Sequence, residues 1–326
     1  MRPALDTATS DILKFSELAS QLTAGRVLAE LGRQDDRIVV LAADLKNPSR
    51  TADFAREHPD RFFNFGIAEK NMVCAAAGMA AAGKIPYLAT YASFVGLLCC
   101  EQIRTAVAYP NLPVRILATH AGIAMGFYGS SHHATEDLAI TRAIANLTVL
   151  APCDGHGLEQ LIRQTVDHPG PIYFRLGRGR ETPVYGDAPA GVRLGRASTL
   201  RQGRDVTIIG TGITVANALE AAERLGEQNV HATVIDMHTI KPIDVDAIVT
   251  ASRRSGAILT VEEHNIHGGL GGAVAEVLAE TGANCRFKRH GIADEYSLIG
   301  PPTHLYRHYR LDAQGISQAV LELLSN

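Results

Sequence analysis

Phe65-Gly66-Ile67-Ala68-Glu69-Lys70-Asn71-Met72 leads into Cys74-Ala75-Ala76-Ala77-Gly78-Met79-Ala80-Ala81-Ala82-Gly83, and an apolar run over residues 85–90 then reaches Tyr91-Ala92-Ser93-Phe94. A small-residue helix over 69–82, a strand over 85–90 and a helix over 93–108 make the alternation of a parallel sheet covered by crossover helices. The same rhythm extends both ways. Strands read over 37–42, 114–119, 147–151 and 171–175, with helices over 11–32 and 157–168, so a doubly wound unit ends near Tyr185. Residues 182–196 carry prolines and glycines without periodicity and read as a linker. Strands over 205–209, 231–235, 257–261 and 285–290 follow, with helices over 215–225, 245–252, 270–281 and 313–324. The fold class is therefore α/β, with two doubly wound, mostly parallel-sheet domains over 1–185 and 197–326, joined by a linker over 186–196.

The length of 326 residues suits two domains, and 46% hydrophobic with 20% charged residues excludes disordered, collagen-like and coiled-coil classes. Lys and Arg total 31 against 34 Asp and Glu, a formal charge of −3, so no basic excess points to nucleic acid or an anionic membrane surface. Cys74, Cys99, Cys100, Cys153 and Cys285 form no C-x-x-C pair or disulfide framework, and read as core residues of a reducing compartment. With no hydrophobic leader and no run of the length a membrane span needs, the expected location is the cytoplasm.

Ligands of open parallel sheets sit at the carboxyl ends of strands, so the turns there are where chemistry is expected. Glu69 opens a helix. That placement is favourable to the helix dipole alone, but an Ala- and Gly-rich helix also admits a close neighbour, and desolvation would raise a carboxylate toward values useful for proton exchange. Tyr91 and Phe94 stand at a strand's end in a chain with 6% aromatics and no tryptophan, either as core or as a platform for a flat ring. Thr119-His120-Ala121-Gly122 and Gly126-Phe127-Tyr128-Gly129-Ser130-Ser131-His132-His133 put histidines on turns, where imidazole can serve proton exchange near neutral pH. Gly210-Thr211-Gly212 superficially suggests a dinucleotide fingerprint, but a third glycine is absent, and close helix packing explains the pair.

These segments, in this order, together with residues 142–154 and Val261-Glu262-Glu263-His264-Asn265-Ile266-His267-Gly268-Gly269-Leu270-Gly271-Gly272, resemble the thiamine-diphosphate-dependent transketolases and deoxyxylulose-phosphate synthases. The resemblance covers nearly the whole chain and corresponds to their pyrimidine-binding and C-terminal domains. It implies that Glu69 meets N1′ of the aminopyrimidine, that Tyr91 and Phe94 pack on that ring, and that Asp44 and Ile67 lie near the cofactor. It implies that His120 and His132 face the substrate, and that Arg178 grips its far-end phosphate, with Ser49 as a weaker candidate. Arg175 and Arg180 read as surface arginines, Asp44 alternatively as a buried cap, and His133 has no counterpart.

The family's Gly-Asp-Gly motif, which holds magnesium through oxygen ligands, does not occur in this sequence. The chain thus resembles the C-terminal subunit of a split transketolase. The implied partner is a separate N-terminal subunit carrying that motif, in a heterotetramer of two copies of each. Three departures bear on substrate and cofactor: Tyr128 stands where transketolases have an Asp reading a sugar hydroxyl, Ser20-Gln21 replaces an Ala-Thr-Arg segment, and Leu97 replaces an aromatic. The alternatives are the β subunit of a 2-oxoacid dehydrogenase E1 component, a deoxyxylulose-phosphate-synthase-like enzyme, or a non-catalytic subunit. The Gly-Ser-Ser-His and Arg178 pattern favours sugar transfer, and Glu69 with both turn histidines argues against a purely structural role.

Overall fold

The computed structural model describes residues 20–179, 181–186 and 191–325. Residues 11–19 of the first expected helix, the side chains of Ser20 and Gln21, and Arg180 lie outside the described residues. The strands in chain order are β1 (Ile38–Ala42), β2 (Phe62–Asn64), β3 (Ile85–Tyr91), β4 (Arg115–Thr119), β5 (Thr148–Leu150) and β6 (Ile172–Arg175). They continue as β7 (Ser198–Arg201), β8 (Val206–Gly210), β9 (Ala232–Asp236), β10 (Thr239–Lys241), β11 (Ala257–Asn265) and β12 (Arg286–Ile292). They form a seven-stranded sheet ordered β10-β5-β6-β4-β3-β1-β2 and a five-stranded sheet ordered β12-β11-β8-β9-β7. Every pairing is parallel except β10 with β5 and β7 with β9, at the sheet edges. β1, β4, β8 and β9 are buried at every residue, the mark of parallel strands covered on both faces.

Three strands had no sequence signal. β2, β7 and β10 are three or four residues long and lie at edges, too short for a run or an alternation to show. The expected single helix over 93–108 is instead two wide-turn stretches, Phe94–Leu98 and Ile103–Ala108, around a short helical turn. Gly96 lets this segment press on its neighbours, since a Cβ there would lie 3.1 Å from that of Asp137 and 3.4 Å from the Tyr173 hydroxyl. At Gly210 a Cβ would stand 3.3 Å from the Cα of Val215, so close strand-to-helix approach accounts for Gly210, whereas Gly212 has open space around it and sits in the left-handed region at φ 56°. No helix among the described residues is long and apolar enough to cross a membrane.

β10 comes from the second half of the chain but completes the first sheet, with Thr239 opposite Leu150 and Lys241 opposite Val149. Lys241 Nζ adds donors to the carbonyls of Arg142 (3.0 Å) and Ile144 (2.5 Å). Tyr185, at the start of the linker region, donates its hydroxyl to the buried Asp236 at 2.6 Å. Burial pushes the Asp236 carboxyl up to about 7, against the lowering effect of that hydrogen bond. Folding therefore takes up a proton at Asp236 between its ordinary value and about 7, and stability falls as pH rises through that window. Asp236→Asn lacks this slope. Its stability relative to the parent is expected to improve by about 2–4 kcal/mol from pH 4 to pH 8, read from denaturant midpoints at the two pH values; an unchanged difference would show that Asp236 does not titrate this way.

Candidate active site

The carboxyl edge of the first sheet gathers the turns. β1 is followed by Asp44 and Ser49, β2 by Ile67 and Glu69, β3 by Phe94, β4 by His120, and β6 by Arg178. Glu69 opens the helix Glu69–Ala81, which crosses from β2 to β3. Met72, Val73, Ala76, Ala77 and Ala80 bury one face of that helix, and the wide-turn stretches over 94–108 pack beside it. Small side chains permit that approach, which leaves Glu69 only 9% exposed. Among the described residues its carboxylate has no hydrogen-bond or ion-pair partner. Burial, with the Glu69 charge alongside, pushes the Cys99 thiol up to about 12. A mostly buried carboxylate without such a partner is open to a bond from an incoming donor.

The rings of the neighbouring turns form a continuous cluster. Tyr91 and Phe94 lie 5.5 Å apart between centroids, Tyr91 and His120 4.3 Å, and Phe94 and His132 5.3 Å. Tyr128 extends the cluster to 5.1 Å from His132, and the Arg178 guanidinium sits 6.0 Å over the Tyr128 ring. Tyr91, Phe94, His120, Tyr128, His132 and Arg178, read from separate stretches of sequence, are thus brought together. Backbone bonds tie the elements: the His120 amide donates to the Gly177 carbonyl at 3.1 Å, and Ala121 to Leu176 at 3.0 Å.

His120 departs from the expectation of an imidazole exchanging protons near neutral pH. It occupies the left-handed region at φ 60°, is 6% exposed, and is pulled down to about 3 by burial and then by the Arg178 and His132 charges. It is therefore a neutral ring, whose N–H can donate to a developing negative oxygen without carrying charge. His132 keeps its Nδ1 2.9 Å from the Ser131 hydroxyl.

The remaining candidates fall around this cluster. Asp44 is exposed at φ 58°, and its backbone amide donates to Asn64 Oδ1 at 2.9 Å, so it is not a buried cap. Ile67 is 86% exposed beside Glu69. Ser49 is buried with an unpartnered hydroxyl and makes no hydrogen bond to the cluster. His133 turns away, its Nδ1 2.5 Å from the Ser297 hydroxyl of the second domain. Arg175 is not a surface arginine: it is buried, pairs with Asp137 at 3.0 Å, and Tyr173 donates to the same carboxylate at 2.9 Å. Asp137 begins the helix just after the His132 turn, so this ion pair fixes the turn to β6; pairing across such a sequence distance left no local signal. The second-domain motif is also structural in part. Glu262 accepts from the amides of Leu270 (2.7 Å) and Gly271 (2.8 Å), satisfying the start of the helix Leu270–Thr281.

Residues 16–182 match the family described as Transketolase, pyrimidine binding domain, and residues 195–316 the family described as Transketolase, C-terminal domain. The chain belongs to the transketolase family. An apulose-4-phosphate transketolase subunit of Phocaeicola vulgatus is 39% identical over 91% of this chain and 95% of its own length. A 6-deoxy-6-sulfo-D-fructose transketolase subunit of Clostridium sp. is 38% identical over 91% of this chain and 92% of its own. A solved structure described as a split gene transketolase, inactive beta4 tetramer, superposes with a TM-score of 0.87 at 40% identity, covering 94% of this chain and 99% of that one. Within the family, the chain is a C-terminal subunit of the split kind and part of a thiamine-diphosphate-dependent transferase that acts with a partner subunit.

Proposed function

We propose that this subunit and an N-terminal partner together transfer a two-carbon ketol group from an anionic ketose to an aldehyde. The observation that carries the reading is Glu69: a buried carboxylate without a partner among the described residues, on a helix packed against β3 and the Phe94–Leu98 stretch, the elements that carry the Tyr91 and Phe94 rings, with Ile67 and Leu97 exposed. Acid, ring faces and an uncovered rim fit an aminopyrimidine arriving on another polypeptide. Thiamine diphosphate, when bound here, would supply an acidic thiazolium carbon. Glu69 holds a proton at N1′ of the aminopyrimidine, Tyr91 and Phe94 orient that ring, and Asp44 and Ile67 border it.

On the substrate side, neutral His120 donates to the oxygen that gains charge, and His132 and Tyr128 engage the sugar hydroxyls. Arg178 receives the terminal anion, phosphate or sulfonate, in a bidentate fork. Ser49 is a second contact from the loop after β1. The partner carries the Gly-Asp-Gly motif and, through it, Mg2+ and the diphosphate, in a heterotetramer. The domain limits of 1–185 and 197–326, with the linker between, belong to this reading, as does a cytoplasmic location, which five free thiols support.

The test is reconstitution. The two purified chains are mixed with thiamine diphosphate, Mg2+ and a panel of ketose phosphates and sulfonates, and two-carbon products are followed. Transfer by the mixture and none by this chain alone is expected; full activity of this chain alone would refute the shared site.

A further inference from the structure

We propose that Glu263, on the second domain, is the positioning residue for His120. Glu263 is 2% exposed near the end of β11, yet it reaches the turn that follows His120: the Ile123 amide donates to its Oε1 at 2.8 Å, and the Tyr306 hydroxyl donates to the same oxygen. Its carboxylate fills the place where a side chain of residue 122 would stand, since a Cβ on Gly122 would lie 2.1 Å from Glu263 Cδ, at a φ of 66°. A glycine and a glutamate distant in sequence thus form one joint. The Ile123 side chain is buried in the second domain's own core, and Gly122 exchanges both backbone bonds with Ala134, at 3.0 and 2.9 Å. The Glu263 carbonyl also accepts from Arg175 at 2.9 Å, the arginine that holds Asp137. The turns bearing His120 and His132 therefore share one anchor, outside the domain that presents them. A left-handed histidine is a strained conformation, kept only where the surroundings over-determine it, and the Glu263 joint supplies that constraint from the C-terminal side of the turn.

The inference rests on the reading of His120 as a substrate-facing group, so the test has one arm that does not depend on it. In the first arm, histidine-labelled chain alone is followed by NMR, with the His120 signal assigned from His120→Asn. The parent ring stays neutral across the accessible pH range, with Arg178, His132 and Tyr91 as the groups that face it. Glu263→Ala is expected to move the His120 ring signals as the turn loosens and the ring gains water. Glu263→Gln, which keeps an acceptor for Ile123 and Tyr306, restores the parent behaviour. Tyr306→Phe, the variant to use should Glu263→Ala fail to fold, gives a smaller change of the same sign.

In the second arm, the reconstituted enzyme carrying Glu263→Ala loses about 10- to 100-fold in kcat with little change in ketose KM, and Glu263→Gln recovers it. An unmoved His120 signal in folded Glu263→Ala, or in folded Tyr306→Phe where that variant stands in, overturns the proposal. So does a Glu263→Gln chain as perturbed as the alanine variant. A displaced His120 with an unchanged rate supports the joint and instead contradicts the catalytic reading of His120.

Discussion

Replacing Glu69 by Gln lowers two-carbon transfer by the reconstituted enzyme about 10³- to 10⁴-fold, at the upper end of what one acid–base group contributes. The substitution is close to isosteric, and Glu69 has no partner among the described residues that the amide would orphan. Folding and assembly are therefore expected to match the parent, checked by thermal midpoint and by gel filtration of the complex. The loss falls on kcat, because an amide cannot hold and release a proton at the pyrimidine nitrogen, while ring stacking on Tyr91 and Phe94 persists. A loss of less than tenfold, with cofactor binding intact, would remove Glu69 from the chemistry.

The second large effect is at His120. His120→Ala is expected to cost about 10²- to 10³-fold in kcat, the range measured when one donor to a developing oxyanion is removed. Burial and the neighbouring Arg178 and His132 hold the ring neutral down to about pH 3, so its donor role is constant across the working range. The pH–rate profile of the parent therefore carries no limb from His120 between pH 5 and 9, and His120→Ala lowers the profile without changing its shape. A variant that loses an acid limb would show that the ring exchanges protons instead.

The sequence made the main alternation of strands and helices visible because parallel strands buried on both faces are continuous apolar runs; β1 and β4 were read within a residue of their ends. Edge strands of three or four residues carry too few positions for any pattern, and β10 adds a further difficulty, since its partner β5 is far away in the chain. At the site, Tyr91, Phe94, His120 and Arg178 could be picked out as candidates because they stand at or just after the carboxyl ends of β3, β4 and β6, where the fold class says that ligands sit, while Glu69 was marked by the small-residue helix that it opens and His132 by its glycine-bearing turn. Arg175 was misread because its partner Asp137 lies 38 residues earlier, and only the fold makes them neighbours. The glutamates of Val261-Glu262-Glu263-His264 were quoted as a resemblance, but their separate tasks, one satisfying a helix start and one bracing the His120 turn, appear only once β11 is placed.

The most direct measurement is the rate at which the C2 hydrogen of thiamine diphosphate, bound to the two-subunit complex, exchanges with deuterium from solvent. Exchange at least about 100-fold faster in the parent complex than in the Glu69→Gln complex, at equal cofactor occupancy, is what this account predicts. Equal exchange rates in the two complexes would contradict it.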